Sequence, residues 1–363
     1  MSKNSSVFIG PGNTAGNAKH FGQTLREIGI KATSFSYTKH SFGYDTDVSI
    51  KQINSDKIPE WLKKLKFGFI IYNINGLLRL FYFIYTLFSF NTFMFISTGT
   101  ILRNFKDIQI LKFFKKIIFI FVGCPERDPL SPIRSDGKIL CSKFVCTDDK
   151  LQKSSLCHDL NKKRKMILYI EKYADYIIAM KDLTQYMKRP NQFIPYYSYA
   201  KPCKNLNVLN KYNSEVIQIV RFPSHYERKQ SDIINPIIER VVEKYGKKVV
   251  YINKRVSNHE VLKILEKSHI LVDQLSMYYA TLSVEAMANG CIVMTRIEDW
   301  FLDERPDLPI VSIEKHNIEK KLSYLIENPS KMKTIGRKSI KYYEKYHSPI
   351  ALGKYLKQQL HLT

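Results

Sequence analysis

The chain has 363 residues, 44% of them apolar and 25% charged. That balance excludes a disordered polymer or a collagen- or mucin-like chain and, at about 100–200 residues per domain, favours two domains. Lys and Arg number 57 against 33 acids, a net charge of +24, which excludes an acidic solvating protein and implies polyanionic company: phosphates, nucleic acid or an anionic membrane surface.

The excess is uneven. Residues 1–205 carry +17 and residues 206–363 carry +7, so a large anion is expected to meet mainly the first half. The polar start, Met1 to Ser6, leads straight into Val7-Phe8-Ile9 and reads as no secretory signal, so a cytoplasmic protein with reduced cysteines is expected.

Short β-branched runs then alternate with helical patterns. A strand at Val7–Ile9 precedes a helix near Ala15–Ile28 and a strand around Ala32–Ser36. From Leu77 to Ile96 the chain reads LLRLFYFIYTLFSFNTFMFI, a run apolar enough for a transmembrane helix. Ser89-Phe-Asn-Thr92 offers a break, and a helix of about 12 residues followed by a short buried strand, Thr92–Ile96, fits equally well. Such a helix is either an unusually apolar core helix or one whose aromatic face lies in a membrane interface. Lys63, Lys64, Lys66, Lys112, Lys115 and Lys116 would help the latter. Spanning would separate Val7–Ser36 from Thr92–Val122, strands expected in one sheet, whereas lying flat keeps the domain whole.

Strands follow at Ile117–Val122 and Tyr176–Ala179, then a polar stretch, Lys201 to Lys211. The pattern restarts with a strand Val216–Val220, a helix Ser231–Lys244, a strand Val249–Ile252 and a helix Asn258–Lys267. It continues through strands Ile270–Val272, Cys291–Thr295 and Ile310–Ser312 to a helical stretch, Lys331–Leu360, weakly broken at His347-Ser-Pro349. This α/β alternation predicts parallel sheets covered by helices. Two doubly wound, Rossmann-like domains, 1–205 and 206–363, would face each other across a cleft at their strand ends, where ligands of such folds bind.

The loop Gly10-Pro-Gly12-Asn-Thr-Ala-Gly16 runs from a strand into a helix. Its glycines would let backbone N–H groups approach a phosphate beside a helix N-terminus, or would simply allow a tight turn. The spacing is close to the dinucleotide fingerprint, but Ser34 to Lys39 offers no carboxylate for a ribose, which places a nicotinamide oxidoreductase third among the readings. In the second half, Arg221-Phe-Pro-Ser-His-Tyr-Glu-Arg-Lys229 follows a strand and precedes a helix. Arg221 and Lys229 would there clamp a diphosphate, or else be ordinary surface charge. Thr281-Leu-Ser-Val-Glu-Ala-Met-Ala-Asn-Gly290 reads as a helix stopped by a glycine. Glu285 lies among apolar residues, where a carboxylate needs a reason; it would point into the cleft and accept two hydroxyl hydrogens. Cys141, Cys146, Cys157 and His158 would ligate zinc or, by default for such irregular spacing, remain reduced structural cysteines. Lys162 to Lys165 reads as a solvated helix face, and with no recognisable nucleic-acid module no nucleic-acid partner is expected.

These residues resemble the retaining GT-B glycosyltransferases of the family-four, group 1 type, which include sucrose synthases and many bacterial lipopolysaccharide and capsule enzymes. Lys267–Met294 looks like that group's most characteristic stretch, ending in Glu-Ala-Met-Ala-x-Gly and a strand, and Arg221 to Lys229 is similar to its donor-phosphate motif. Ile117–Val122 with Gly123-Cys-Pro-Glu-Arg127 resembles its strand and Gly-Ser-Asp-x-Arg loop. Tyr173 to Ala179 looks like its Tyr-Ala-Asp strand, and Phe193-Ile-Pro-Tyr-Tyr197 like the opening of its crossover.

The resemblance implies that Glu285 binds the donor ribose, with Ser283 and Val284 beside it. It implies that Lys229, with Arg221 or Arg228, holds the leaving diphosphate, and that Gly12 to Gly16 approach it from the other domain. It implies sugar transfer with retention from a nucleotide-diphosphate sugar to a glycan or lipid-linked glycan, in cell-surface polysaccharide synthesis. The protein would be peripheral at the inner face of a membrane, its last helix packing back on the first domain. The implied mechanism needs no cofactor, metal or strong base: cations stabilise the departing diphosphate while the acceptor hydroxyl attacks the same face. Three positions depart from the pattern. Met277 stands where many relatives carry a sugar-binding glutamate, Gln230 where a glycine follows the phosphate lysine, and Val122 where a histidine precedes the first-half glycine. They keep open a second reading, a non-catalytic sugar-nucleotide or polyanion-binding protein on the same fold.

Overall fold

The computed structural model describes residues 5–37, 43–50, 52–53, 67–123, 159–180, 183–189, 193–194, 207–224, 226, 229–275 and 279–363. Lys63, Lys64, Lys66, Arg127, Arg228, Met277, Cys141, Cys146, Cys157 and His158 lie outside the described residues, as does most of the polar stretch after Lys201. The chain forms two compact units. The described residues of 1–128, 159–196 and 353–363 make up the first, and those of 197–352 belong to the second.

The first unit is built on seven strands: β1 (Ser6–Ile9), β2 (Lys31–Ser36), β3 (Val48–Ser49), β4 (Thr92–Ile96), β5 (Lys116–Ile120), β6 (Tyr176–Ile178) and β7 (Phe193–Ile194). Their order is β3-β2-β1-β4-β5-β6-β7, and every pairing is parallel. Val7 lies beside both Ala32 and Thr92, so the strand order reverses at β1. A sheet covered on both faces wants continuous apolar strands, and all of Thr92–Ile96 is buried. Phe8, Phe35, Phe93, Phe95 and Phe119 fill the core, with Phe8 stacked on Phe35 at 4.6 Å between ring centres.

Its helices are α1 (Asn17–Glu27), α2 (Phe67–Ser89), α3 (Lys106–Leu111) and α4 (Leu160–Tyr173). At 23 residues α2 is about twice the expected length. The polar Asn75 does not interrupt it, because its side chain is satisfied: Nδ2 donates to the Ile53 carbonyl at 2.9 Å and Oδ1 accepts from the Ile53 N–H at 2.8 Å. Ile71, Asn75, Phe83, Thr86 and Phe90 form one buried stripe along it, at the spacing of a single helix face. Asp159 caps α4 by accepting from the Lys162 N–H at 2.8 Å. On that helix Lys162, Arg164 and Lys165 are exposed and Lys163 is buried.

The second unit has strands β8 (Ile217–Arg221), β9 (Val249–Asn253), β10 (Ile270–Val272), β11 (Ile292–Thr295) and β12 (Val311–Ser312). They are ordered β12-β11-β10-β8-β9, again with all pairs parallel, so the order reverses between β8 and β10. Its helices are α5 (Ser231–Tyr245), α6 (Asn258–Lys267), α7 (Thr281–Ala288), α8 (Asp299–Glu304), α9 (Ile318–Glu327) and α10 (Pro329–Tyr346), while α11 (Pro349–Gln359) begins in this unit and from Gly353 onward belongs to the first. The helical stretch expected over Lys331–Leu360 is two helices, divided at His347-Ser-Pro349 where the sequence suggested a weak break. Pro349 disfavours helical geometry at the residue before it, and the Ser348 N–H turns back to the Tyr343 carbonyl.

Candidate functional site

In the first unit, β1 hands over to the glycine loop at the strand reversal. A Cβ at Gly12 would lie 2.5 Å from the Ile96 carbonyl oxygen. Gly16, with φ at +75°, opens α1, and a Cβ there would meet the Tyr44 ring at 2.6 Å. Asn13 ties the loop down, donating to the Tyr44 carbonyl at 2.7 Å and accepting from the Ala18 N–H at 3.1 Å. The chain's own close packing therefore suffices to require glycine at 12 and 16.

In the second unit, β8 ends at Arg221 and β10 at Val272, so the residues just past them share the strand-end edge of the reversal. Arg221 is 1% exposed. Its Nη2 donates to the Lys229 carbonyl at 2.9 Å and to Ser231 Oγ at 3.4 Å, while Nε and Nη1 have no hydrogen-bond partner among the described residues. Burial pulls its pKa below the ordinary guanidinium value, partly opposed by the nearby Tyr251 and Asp273. Arg221 thus lies beneath the loop and holds its backbone.

Lys229 Nζ sits 2.6 Å from Asp273 Oδ1, and the other carboxylate oxygen accepts from Ser283 Oγ at 3.0 Å. Asp273 is buried, so it needs a cation beside it. Sequence reasoning missed this residue. Its signal was a carboxylate directly after the wholly buried strand Ile270–Val272.

Glu285 is 3% exposed, and its Oε1 accepts from Nδ2 of Asn258, the first residue of α6, at 2.7 Å. Ser283 lies two positions earlier and so points away from Glu285, toward Asp273. Val284 is fully buried, and its N–H donates to the Ala280 carbonyl at 3.1 Å, so it contributes packing. Neither α5 nor α7 has a side-chain cap among the described residues. Two helix N-termini, with their partial positive charge, therefore begin beside Lys229 and two residues before Ser283.

Gln230 sits at φ +46°, in the left-handed region that favours glycine, the residue the resembling group carries there. Its Oε1 accepts from the Leu275 N–H at 2.9 Å, which ties the start of α5 to the loop after β10. Both residues also line a groove of about 940 Å³, together with Arg240, Arg296, Glu314 and Glu319. The arginines there are paired, Arg296 with Glu298 at 2.8 Å and Glu314 at 3.3 Å, and Arg240 with Glu319 at 3.3 Å, so neither is free for an anion. Among the described residues no group of three His, Cys, Asp or Glu side chains is placed to hold a metal ion.

No protein-family profile and no curated protein matches the sequence. Solved structures do match, over nearly the whole chain. The Anabaena protein Alr3699/HepE, in complex with UDP-glucose, gives a TM-score of 0.59 at 11% identity, covering 99% of this chain and 100% of that one. Sucrose-phosphate synthase from Thermosynechococcus elongatus gives 0.58 at 11% identity, covering 100% and 97%. An alpha-glucosyltransferase in complex with UDP and a 13-mer DNA gives 0.52 at 11% identity, covering 98% of each chain. The chain has the α/β fold of the GT-B glycosyltransferases, two parallel sheets with flanking helices.

Proposed function

We propose that the protein is a glycosyltransferase moving a sugar from a nucleoside diphosphate donor, with retention, to a hydroxyl of a glycan or lipid-linked glycan in cell-surface polysaccharide synthesis. The observation that carries this reading is the Lys229–Asp273–Ser283 chain at the strand reversal of the second sheet, beside two helix N-termini without side-chain caps. It belongs to a fold shared with a protein solved in complex with UDP-glucose. Lys229 meets the diphosphate, Arg221 holds the backbone that carries Lys229, and Glu285 accepts from the ribose hydroxyls. The bond from the anomeric carbon to the diphosphate oxygen breaks, and its electron pair leaves with the phosphate, whose growing charge Lys229 stabilises. The acceptor oxygen bonds to the same face of the anomeric carbon, and its proton passes to the departing phosphate oxygen.

Screening UDP-, GDP-, ADP- and CMP-sugars for thermal stabilisation tests the donor, since a ligand bound only by the folded state raises stability with its concentration over Kd. At least one of the three nucleoside diphosphate sugars is expected to raise Tm, and stabilisation by the CMP-sugar alone, which carries a single phosphate, counts against a diphosphate donor. Lys229→Ala is expected to impair turnover more than binding, because its charge matters most as the diphosphate leaves. A Tm unmoved by all four refutes the reading. Met277, in place of the glutamate of the resembling group, favours a second reading, a non-catalytic sugar-nucleotide-binding protein. Nucleotide binding without any transfer or hydrolysis by the parent chain decides for that one.

A further inference from the structure

Helix α2 carries two apolar faces. One packs on the first unit's sheet through Phe83 and Phe90. The other stays in solvent: Phe69 is 70% exposed, Leu77 66%, Phe81 68% and Phe88 84%. Phe113 and Phe114, 80% and 76% exposed, stand in the turn after α3. That turn is fastened to the C-terminal end of α2, because Lys115 Nζ donates to the Phe90 carbonyl at 2.7 Å and the Lys116 N–H to the Asn91 carbonyl at 3.2 Å. Singly exposed apolar residues are ordinary in soluble proteins, but a stripe of aromatic side chains along six turns of helix is not.

The charge of the segment that carries this face is almost wholly positive, and Asp175, from outside that segment, pairs with Lys112 of the turn at 2.6 Å. Residues 61–116 contain nine Lys and Arg and a single carboxylate, Asp107. Asp107 is fully buried, where it accepts from the Ile101 and Leu102 N–H groups at 2.6 and 3.1 Å, so it does not offset the cations at the surface.

We propose that the exposed face of α2, continued by the Phe113–Phe114 turn, is a docking surface for an anionic lipid bilayer. The helix lies in the membrane plane with its rings at the boundary of headgroups and acyl chains, and the surrounding cations meet lipid phosphates. A second copy of the chain would instead press two cationic faces together. A spanning helix would have to withdraw Phe83 and Phe90 from the sheet core and break the paired Asn75–Ile53 bonds. The inference does not depend on the reaction the protein catalyses.

Co-sedimentation of the purified full chain with phosphatidylcholine vesicles, with and without phosphatidylglycerol, tests it. Binding is expected to require phosphatidylglycerol, to weaken as salt rises, and to fall about tenfold or more on Phe81→Ser plus Phe88→Ser and again on Phe113→Ser plus Phe114→Ser. Tyr324→Ser, at a residue 52% exposed in the second unit, is expected to leave binding unchanged. Each substitution is at an exposed site, so an unchanged Tm shows that the variants are folded. Binding indifferent to both double substitutions, or equal without phosphatidylglycerol, overturns the proposal. So does retention in host membranes through high-salt and alkaline carbonate washes, which means the helix spans. Self-association that Phe81→Ser plus Phe88→Ser abolishes, without vesicle binding, gives the face to a second copy.

Discussion

Lys229 is not a free cation waiting for a phosphate. Its ammonium lies 2.6 Å from a carboxylate that is itself buried, so an incoming diphosphate must share it with Asp273. Replacing Asp273 by Asn removes a negative charge from beside the diphosphate. UDP is then expected to bind about 1 kcal/mol more tightly, roughly fivefold in Kd, although Lys229 loses its partner and Tm falls. Calorimetric titration of both chains at one ionic strength checks this, and weaker binding by the variant would show that Asp273 serves to position Lys229. Glu285→Gln keeps the shape and the acceptor for Asn258, so stability is expected to hold. The charge that strengthens bonds to ribose hydroxyls is lost, at a cost of about 1.5–3 kcal/mol in donor affinity. A Gln variant that binds nucleoside diphosphate as the parent does refutes that role. The two carboxylates differ in how far the sequence revealed them. Glu285 stood out inside an apolar helix, while Asp273 acquires its meaning from Lys229, 44 residues away in the chain.

The entry to β10 shows how an element is pinned by a side chain that carries no chemistry. His269 is 2% exposed, accepting from the Gln218 N–H through Nδ1 at 3.0 Å and donating through Nε2 to the Lys211 carbonyl at 2.7 Å. It therefore joins β8, β10 and the segment before β8 as a neutral ring. Burial lowers its pKa from 6.5. The unfolded chain takes up this proton from about pH 6.5 downward and the folded chain only at lower pH, so stability is intact above that range and lost as pH falls through it. His269→Gln, which keeps a donor and an acceptor, is expected to show a shallower loss of Tm between pH 7.5 and 5.5. Asp107, pushed up to about 6 by desolvation, acts in the opposite sense but is common to both chains and cancels in the difference. Parallel slopes would remove His269 from the acid response. The long elements were legible for a physical reason. Strands buried on both faces, such as Thr92–Ile96 and Ile270–Val272, are unbroken apolar runs with the bounds the sequence suggested. The two-residue strands β3 and β7 are too short to show any period. The first half of α2 was hidden by Asn73 and Asn75, the second of which is satisfied only by the distant Ile53.

At the scale of the whole molecule, the chain has 21 phenylalanines, and those among the described residues serve two environments. Phe8, Phe35 and Phe93 pack the first sheet, while Phe81, Phe88 and Phe113 face outward. Composition reports the excess but cannot divide it, because both sets sit in equally apolar sequence. The closure of the first unit was likewise beyond any local pattern, since it joins residues at opposite ends of the chain. The Ser5 N–H donates to the Thr363 carbonyl at 2.6 Å, and Lys116 Nζ donates to the Leu360 and His361 carbonyls at 3.0 and 2.8 Å. Gly353 lets the last helix approach α1 and its end closely: a Cβ there would lie 2.8 Å from Ile28 Cγ2 and 2.9 Å from the Thr24 carbonyl oxygen. Gly353→Val must push that helix away, an overpacking expected to cost about 1–3 kcal/mol. Because Gly353–Thr363 belongs to the first unit, the cost is expected to fall there. Hydrogen exchange should quicken at the amides of α1 and β1 while those of α7 and β10 keep the parent's rates. Equal acceleration in both units would mean that they unfold as one cooperative body, and no acceleration in either would mean that the last helix is not needed to close the first.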